Sequence, residues 1–234
     1  MEFNYSVYGR KPLLSENDKH ALETIQDTAT LPDGHNTIAL PWKDYPPCLE
    51  NNRSLVEHRL RLLKKRLLKD SDLQVKYIAC IQDLLKKGHA KKAPSIGIPG
   101  RTWYLPLHAV FHPARPGNIC IVFNSSAGHC GSSLNDKLLQ GLDLTNSLVG
   151  VLTCFQQEAV ALLAVVGTMS HQVNEVPEDC NPLQLLWWPN GDLKELMMTV
   201  HLFGGVSFLA VLISHSRKRQ KIIDRASIHR LFTL

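Results

Sequence analysis

The stretch from Arg101 to Leu144, RTWYLPLHAVFHPARPGNICIVFNSSAGHCGSSLNDKLLQGLDL, decides how the rest of the chain is read. Two runs of strand-forming residues, Trp103-Tyr104-Leu105 and Ile119 to Phe123, flank the turn-forming Pro113-Ala114-Arg115-Pro116-Gly117, which predicts a β-hairpin with a basic tip. Beyond it, Ser132-Ser133-Leu134-Asn135-Asp136 reads as a capped helix start, because short polar side chains accept the unpaired amides of a first turn. Leu138-Leu139-Gln140-Gly141 continues it.

Upstream of this stretch the periodicity is helical. Ser15-Glu16-Asn17-Asp18 is a capping signal for a helix running to Thr28, and Pro32-Asp33-Gly34 turns the chain toward a short strand around Ile38 and Leu40. From Asn52, the residues Val56, Leu60, Leu63 and Leu67 form an apolar stripe of period 3.6, and Arg59, Lys64, Lys65, Arg66 and Lys69 cover the remainder. A second stripe of Leu73, Tyr77, Ile81 and Leu84 ends at Gly88, so the two segments predict an amphipathic helical hairpin. Downstream, the apolar run Val160 to Val166 reads as a fully buried strand. Leu183 to Trp188 and Met197 to Phe203 read as two more strands on either side of a Pro-Asn-Gly turn.

Composition narrows the possibilities only broadly. With 234 residues, 44% apolar and 20% charged, the chain has the make-up of a globular protein with one or two small cores. A formal charge of +5 suits a polyanionic partner. Six scattered cysteines without a C-x-x-C pair predict free thiols in a reducing compartment. The beginning MEFNYSVYGRKPLL lacks the basic-then-apolar pattern of a secretion signal, so a cytoplasmic or nuclear location is expected. His108, His112, His129 and Cys130 are metal-ligating residue types, but His108 and His112 lie in a Pro-bounded extended segment where they share no helix face, and no metal site is expected from them. Leu196 to Ile213 carries no charge over 18 residues and precedes Arg217, Lys218 and Arg219, which meets the length and flank criteria of a membrane span. Its His201 and Gly204-Gly205 argue against that alternative.

Several blocks together carry a resemblance to a known family. TIALPWKDYPPCLENN (Thr37 to Asn52), the 101–144 stretch with its S-L-N-D-x-L-L-Q-G signature, VALLAVVGTMSHQV, LLWWPNGDL and MMTVHLFGG resemble the reverse transcriptase of BEL/Pao-type LTR retrotransposons, over roughly Thr37 to Ser207. The resemblance implies an α+β fold, a partial fingers and palm carrying the amphipathic helical hairpin. It divides the chain into an arm and linker (1–45), a fingers-like region (46–126), a partial palm-like region (127–207) and a tail (208–234).

It also implies what this copy has lost. Family members hold two magnesium ions on carboxylates, which activate the 3′ hydroxyl and neutralise the leaving pyrophosphate. The first carboxylate stands in a segment of the form L-A-D-I-x-x-M-F-x-Q-V. Here Leu163-Ala164-Val165-Val166-Gly167-Thr168-Met169-Ser170-His171-Gln172-Val173 puts Val165 at the Asp position and Ser170 at the Phe position. Valine offers a hard cation no oxygen. The Tyr-x-Asp-Asp turn is missing, since the sequence contains no Asp-Asp dipeptide. Cys120 replaces an Arg of the family's hairpin, and Asn124 its Asp. Cys120 and Cys154, Gln156 and Gln184 all fit single-transition decay of Arg codons.

After Ser207 the family continues S-P-S-C-A-N-F-A-L; one codon choice for this run, read one base later, yields the L-A-V-L-I-S-H found at Leu209 to His215. The tail is therefore expected to be out of frame. No catalytic residue, metal ligand, resident cofactor or small-molecule substrate is expected; magnesium belongs only to an intact family member, whose activity would be RNA-directed DNA synthesis. What remains is weak RNA or DNA binding, with Arg101, Arg115, Lys137, Lys64 and Lys65 as candidate contacts, or no function; the alternative is an intact family polymerase obscured by an error in the sequence or gene model. Trp187 and Trp188 are read as a packed strand end, with base stacking as the alternative.

Overall fold

A computed structural model describes residues 14–32, 35–94, 97–112, 115–143, 145, 147–155, 169–188 and 192–216. The chain is α+β. Its elements, in order, are α1 (Glu16–Thr28), β1 (Asn36–Ile38), α2 (Arg53–Leu67), α3 (Ser71–Lys86), β2 (Ala90–Lys92), β3 (Leu107–His112), β4 (Arg115–Phe123), α4 (Leu148–Phe155), β5 (Val173–Glu175), β6 (Gln184–Trp187) and β7 (Lys194–Met198). A helix over 208–216, here α5, follows.

The helices start and stop where local chemistry dictates. Ser15 caps α1 by accepting the Asp18 amide at 3.1 Å, and Asp70 caps α3 by accepting the Leu73 amide at 2.9 Å. Gly88 follows α3 with φ +74°, the left-handed conformation that ends a helix at little cost in glycine. Val56, Leu60 and Leu67 of α2 are buried, as are Leu73, Tyr77, Ile81 and Leu84 of α3, so both stripes face the interior and the amphipathic hairpin forms as predicted.

Three small sheets among the described residues organise the rest. β2, β7 and β6 form an antiparallel sheet in that order, β3 and β4 form an antiparallel hairpin, and β1 pairs with β5 in parallel. The main core joins α3 to the three-stranded sheet through Leu73, Tyr77, Ile81, Leu185, Leu196 and Met198, and takes in Trp103, Leu105 and Phe123. A second, smaller core gathers Ile25, Ile38 and Val173 with Ala210, Val211 and Leu212 of α5, the beginning of the tail read as out of frame.

Two expectations need correction. Trp103, Tyr104 and Leu105 do not form the hairpin: all three are buried, and they run beside Gln184, with Leu105 N donating to Gln184 O at 2.7 Å and Gln184 N to Trp103 O at 3.1 Å. Three consecutive apolar side chains suit a segment covered on every side, and the hairpin is instead built from Leu107–His112 with Arg115–Phe123. The second strand of the later pair is Lys194–Met198, not Met197 to Phe203; the chain leaves it near Thr199, whose amide bonds His89 O at 3.0 Å. The 196–213 stretch is divided among the end of β7, a loop and α5, and among the described residues no helix is long and apolar enough to cross a membrane. The predicted strand Val160 to Val166, with Val165, lies outside the described residues.

Candidate nucleic-acid interface

The outer surface of α2 is strongly basic. Once Val56, Leu60 and Leu67 are committed to the core, the 3.6-residue period leaves Arg59, Arg61, Lys65 and Arg66 exposed, with Lys69 just beyond the last turn. Lys64, Lys65 and Arg66 in the last turn also complement the negative end of the helix dipole. The helix contains one acid, Glu57, and that carboxylate is held by Arg53 at 2.8 Å. Among the described residues Arg59, Lys65, Arg66 and Lys69 enter no ion pair, so their charge is directed at solvent.

Arg53 is different. Its guanidinium bonds Glu57, Glu195 and the Tyr104 hydroxyl, and it stacks 5.6 Å from the Tyr104 ring centroid. Partial burial by itself lowers its pKa, but the hydrogen bonds to Glu195 and Glu57 outweigh that and raise it. Beside it, the buried Asn52 side chain donates to Tyr104 O at 2.7 Å and accepts from Tyr104 N at 2.8 Å. These bonds fasten the start of α2 to the Trp103–Leu105 segment, so the basic face is carried on a fixed support.

The sequence-predicted contact residues separate into groups. Lys64 and Lys65 are neighbours on the last turn of α2. Lys137 ends the 3-10 turn Asn135–Lys137, with its carbonyl accepting from Lys43 N at 2.9 Å. Arg101 is half-buried in the turn after Gly100, its amide bonded to Ile98 O at 3.0 Å. Arg115 opens β4 opposite His112, and its side chain lies outside what is described. Among the described residues no hydrogen bond or ion pair links Arg101 or Lys137 to α2.

The Ser132–Gly141 block is a joint. Ser133 N and Oγ both donate to Asp136 Oδ2, at 2.8 and 2.7 Å, and these bonds hold the Asp136 carboxyl below its ordinary pKa. Asn135 Nδ2 donates to Ser126 Oγ at 2.8 Å and to Gly204 O at 3.3 Å, while its Oδ1 accepts from Val206 N at 3.0 Å. One side chain thereby ties the end of β4 to the loop beyond β7. The expected helix start is a single 3-10 turn, with Leu134, Leu138 and Leu139 buried on either side of it.

The two tryptophans have different surroundings. Trp187 is buried and stacks on Tyr77 with centroids 6.0 Å apart and planes 14° apart. Trp188 is half-buried, 4.9 Å from Trp187, and has the Lys64 ammonium 5.7 Å from its ring centroid. Sequence reasoning found Lys64 and Trp188 separately; nothing local to either residue signals that β6 runs beneath α2. Among the described residues no group of three or more His, Cys, Asp or Glu is placed to hold a metal.

Comparison with known proteins returns little. No protein-family model matches the chain, and no curated protein matches it. Among solved structures it is similar to a foamy viral protease-reverse transcriptase in complex with double-stranded DNA, at 16% identity and a TM-score of 0.43. The alignment covers 60% of this chain and 22% of that one, so the chain spans about a fifth of the length of that structure's chain.

Proposed function

We propose that this chain is a degenerate fragment of a BEL/Pao-type reverse transcriptase that binds RNA or DNA and does not transfer nucleotides. In this reading 46–126 is fingers-like, 127–207 is palm-like, and 208–234 is the out-of-frame tail. The observation that carries binding is the α2 surface, where Arg59, Arg61, Lys65 and Arg66 are exposed on a helix whose single acid is already paired. Such a face attracts a phosphate backbone and releases its counterions on contact. Loss of catalysis rests on Val165 at the position where the family has its first metal-binding Asp.

Two measurements test it. Anisotropy titrations of a labelled oligonucleotide should give an affinity that falls steeply with salt, and Lys64→Glu with Lys65→Glu should weaken it at least tenfold. A primer-extension assay with magnesium and all four nucleotides should give no product. Salt-independent or absent binding defeats the binding reading, and templated extension defeats the loss of catalysis.

A further inference from the structure

Three of the four tryptophans, Trp42, Trp103 and Trp187, are at most 4% exposed, whereas Trp188 at the end of β6 is half-open to solvent. Its indole rests on the small cluster of Val56, Leu60, Tyr104 and Leu186, which fixes the ring beneath α2. Lys64 reaches over that ring from α2. Arg61 precedes Lys64 by three residues and is its neighbour on the helix surface beside the ring, whereas Lys65, one residue on, is exposed on the next face round.

An aromatic ring beside a pair of cations is what an unpaired nucleotide needs. The ring offers a stacking surface for the base, and the cations meet the phosphates on either side. A base inside a duplex already has both faces covered by its neighbours, so a lone indole adds nothing to duplex binding. The Lys64 ammonium covers the ring loosely: an exposed cation–π contact on a flexible stem is weak, and a base can displace it. Once displaced, the same ammonium is free to pair with the phosphate.

We infer that Trp188, with Lys64 over its ring and Arg61 beside Lys64, forms a single-strand site in which one base stacks on Trp188 while Lys64 moves from the ring to the backbone. The inference rests on the nucleic-acid-binding reading above and specifies its ligand as single-stranded RNA or DNA.

The experiment uses the full chain with labelled oligothymidylate, oligouridylate, an abasic strand of equal length and a blunt duplex. Trp188→Ala should weaken both base-bearing strands about tenfold while leaving the slope of log affinity against log salt unchanged, since it removes stacking and no charge. Trp188→Phe should recover most of the loss, which distinguishes a missing ring from a damaged fold. The abasic strand should bind about as weakly to the unaltered chain as the base-bearing strands bind to Trp188→Ala. The two base-bearing strands then report separately on DNA and RNA. Salt-dependent binding that Trp188→Ala leaves intact, or a preference for the duplex, overturns this inference alone. Absence of salt-dependent binding to every probe overturns it together with the function proposed above.

Discussion

The two larger cores among the described residues are built on different terms. The larger one, between α3 and the β2-β7-β6 sheet, is lined by Leu73, Tyr77, Ile81, Leu185, Leu196 and Met198. The smaller one, around β1, β5 and α5, has few apolar residues, and buried polar groups surround it: Asn36, Glu175, His201, Ser207 and His215. There Glu175 and His201 face each other at 2.6 Å, and Asn36 Nδ2 meets His215 Nδ1 at 2.5 Å. Apolar contacts are permissive about partners, whereas a buried polar atom requires a particular one. The first core is therefore specified mainly by pattern, with Asp179 as its buried polar tie, and the second mainly by pairing.

The largest expected effect tests the apolar core. Leu185 is fully buried in the main cluster, and Leu185→Ala should cost about 4 kcal/mol in denaturant unfolding, through lost transfer energy and a residual cavity. A cost below about 1 kcal/mol would mean the sheet is not packed on α3 as described.

His201→Ala addresses the paired core and should cost about 3 kcal/mol, because it strips the buried Glu175 carboxyl of its side-chain hydrogen-bond partner. The double change Glu175→Met with His201→Phe should be milder than His201→Ala alone. If the double variant is the worse of the two, the pair stabilises the fold outright rather than selecting its partner.

Gly141 joins the two regions. Its φ is +75°, and a Cβ there would lie 2.8 Å from the Ala210 Cβ of α5, so Gly141→Ala should cost about 2 kcal/mol, read as a lowered melting temperature. No change would show that α5 does not seat against this turn.

The smallest effect concerns pH. Burial pushes the Asp179 carboxyl up to about 6, although hydrogen bonds from the Trp42 indole at 2.8 Å and the Leu40 amide at 2.7 Å oppose that rise. The folded state then holds this proton more tightly than the unfolded chain, so the group's contribution to stability falls as pH rises from about 4 to about 6 and is flat above. The stability difference between the unaltered chain and Asp179→Asn should shrink by roughly 2 kcal/mol across that window. His89 and His171, whose pKa values burial lowers, act in the opposite sense, losing stability as pH falls below the ordinary histidine range. Taking the difference between the two chains cancels them.

This division also explains what the sequence disclosed. The stripes of α2 and α3 and the Ser15 cap were legible because an apolar period and a capping side chain are local signals, and each residue on those stripes is buried or half-buried where the period puts it. The Trp103–Leu105 segment misled because strand-forming residues do not reveal whether one face or both are covered. Glu175 and His201 gave no signal at all, since a charged residue type reads as surface until its distant partner is known. At the candidate site, Lys64 and Lys65 were visible as helix-face cations. The approach of Trp188 to Lys64 depends on strand order, which no window of sequence contains.

The parallel pairing of β1 with β5 places Asn36 opposite Val173. During synthesis β1 therefore emerges from the ribosome long before its partner exists, and Ile25 and Ile38 stay uncovered until β5 and then α5 arrive. A contact of such wide sequence separation carries a large loop-closure cost and forms late. Between synthesis of the two segments the nascent chain thus presents an unsatisfied strand edge, and any slowing there lengthens the interval in which chaperones or neighbouring chains can capture it.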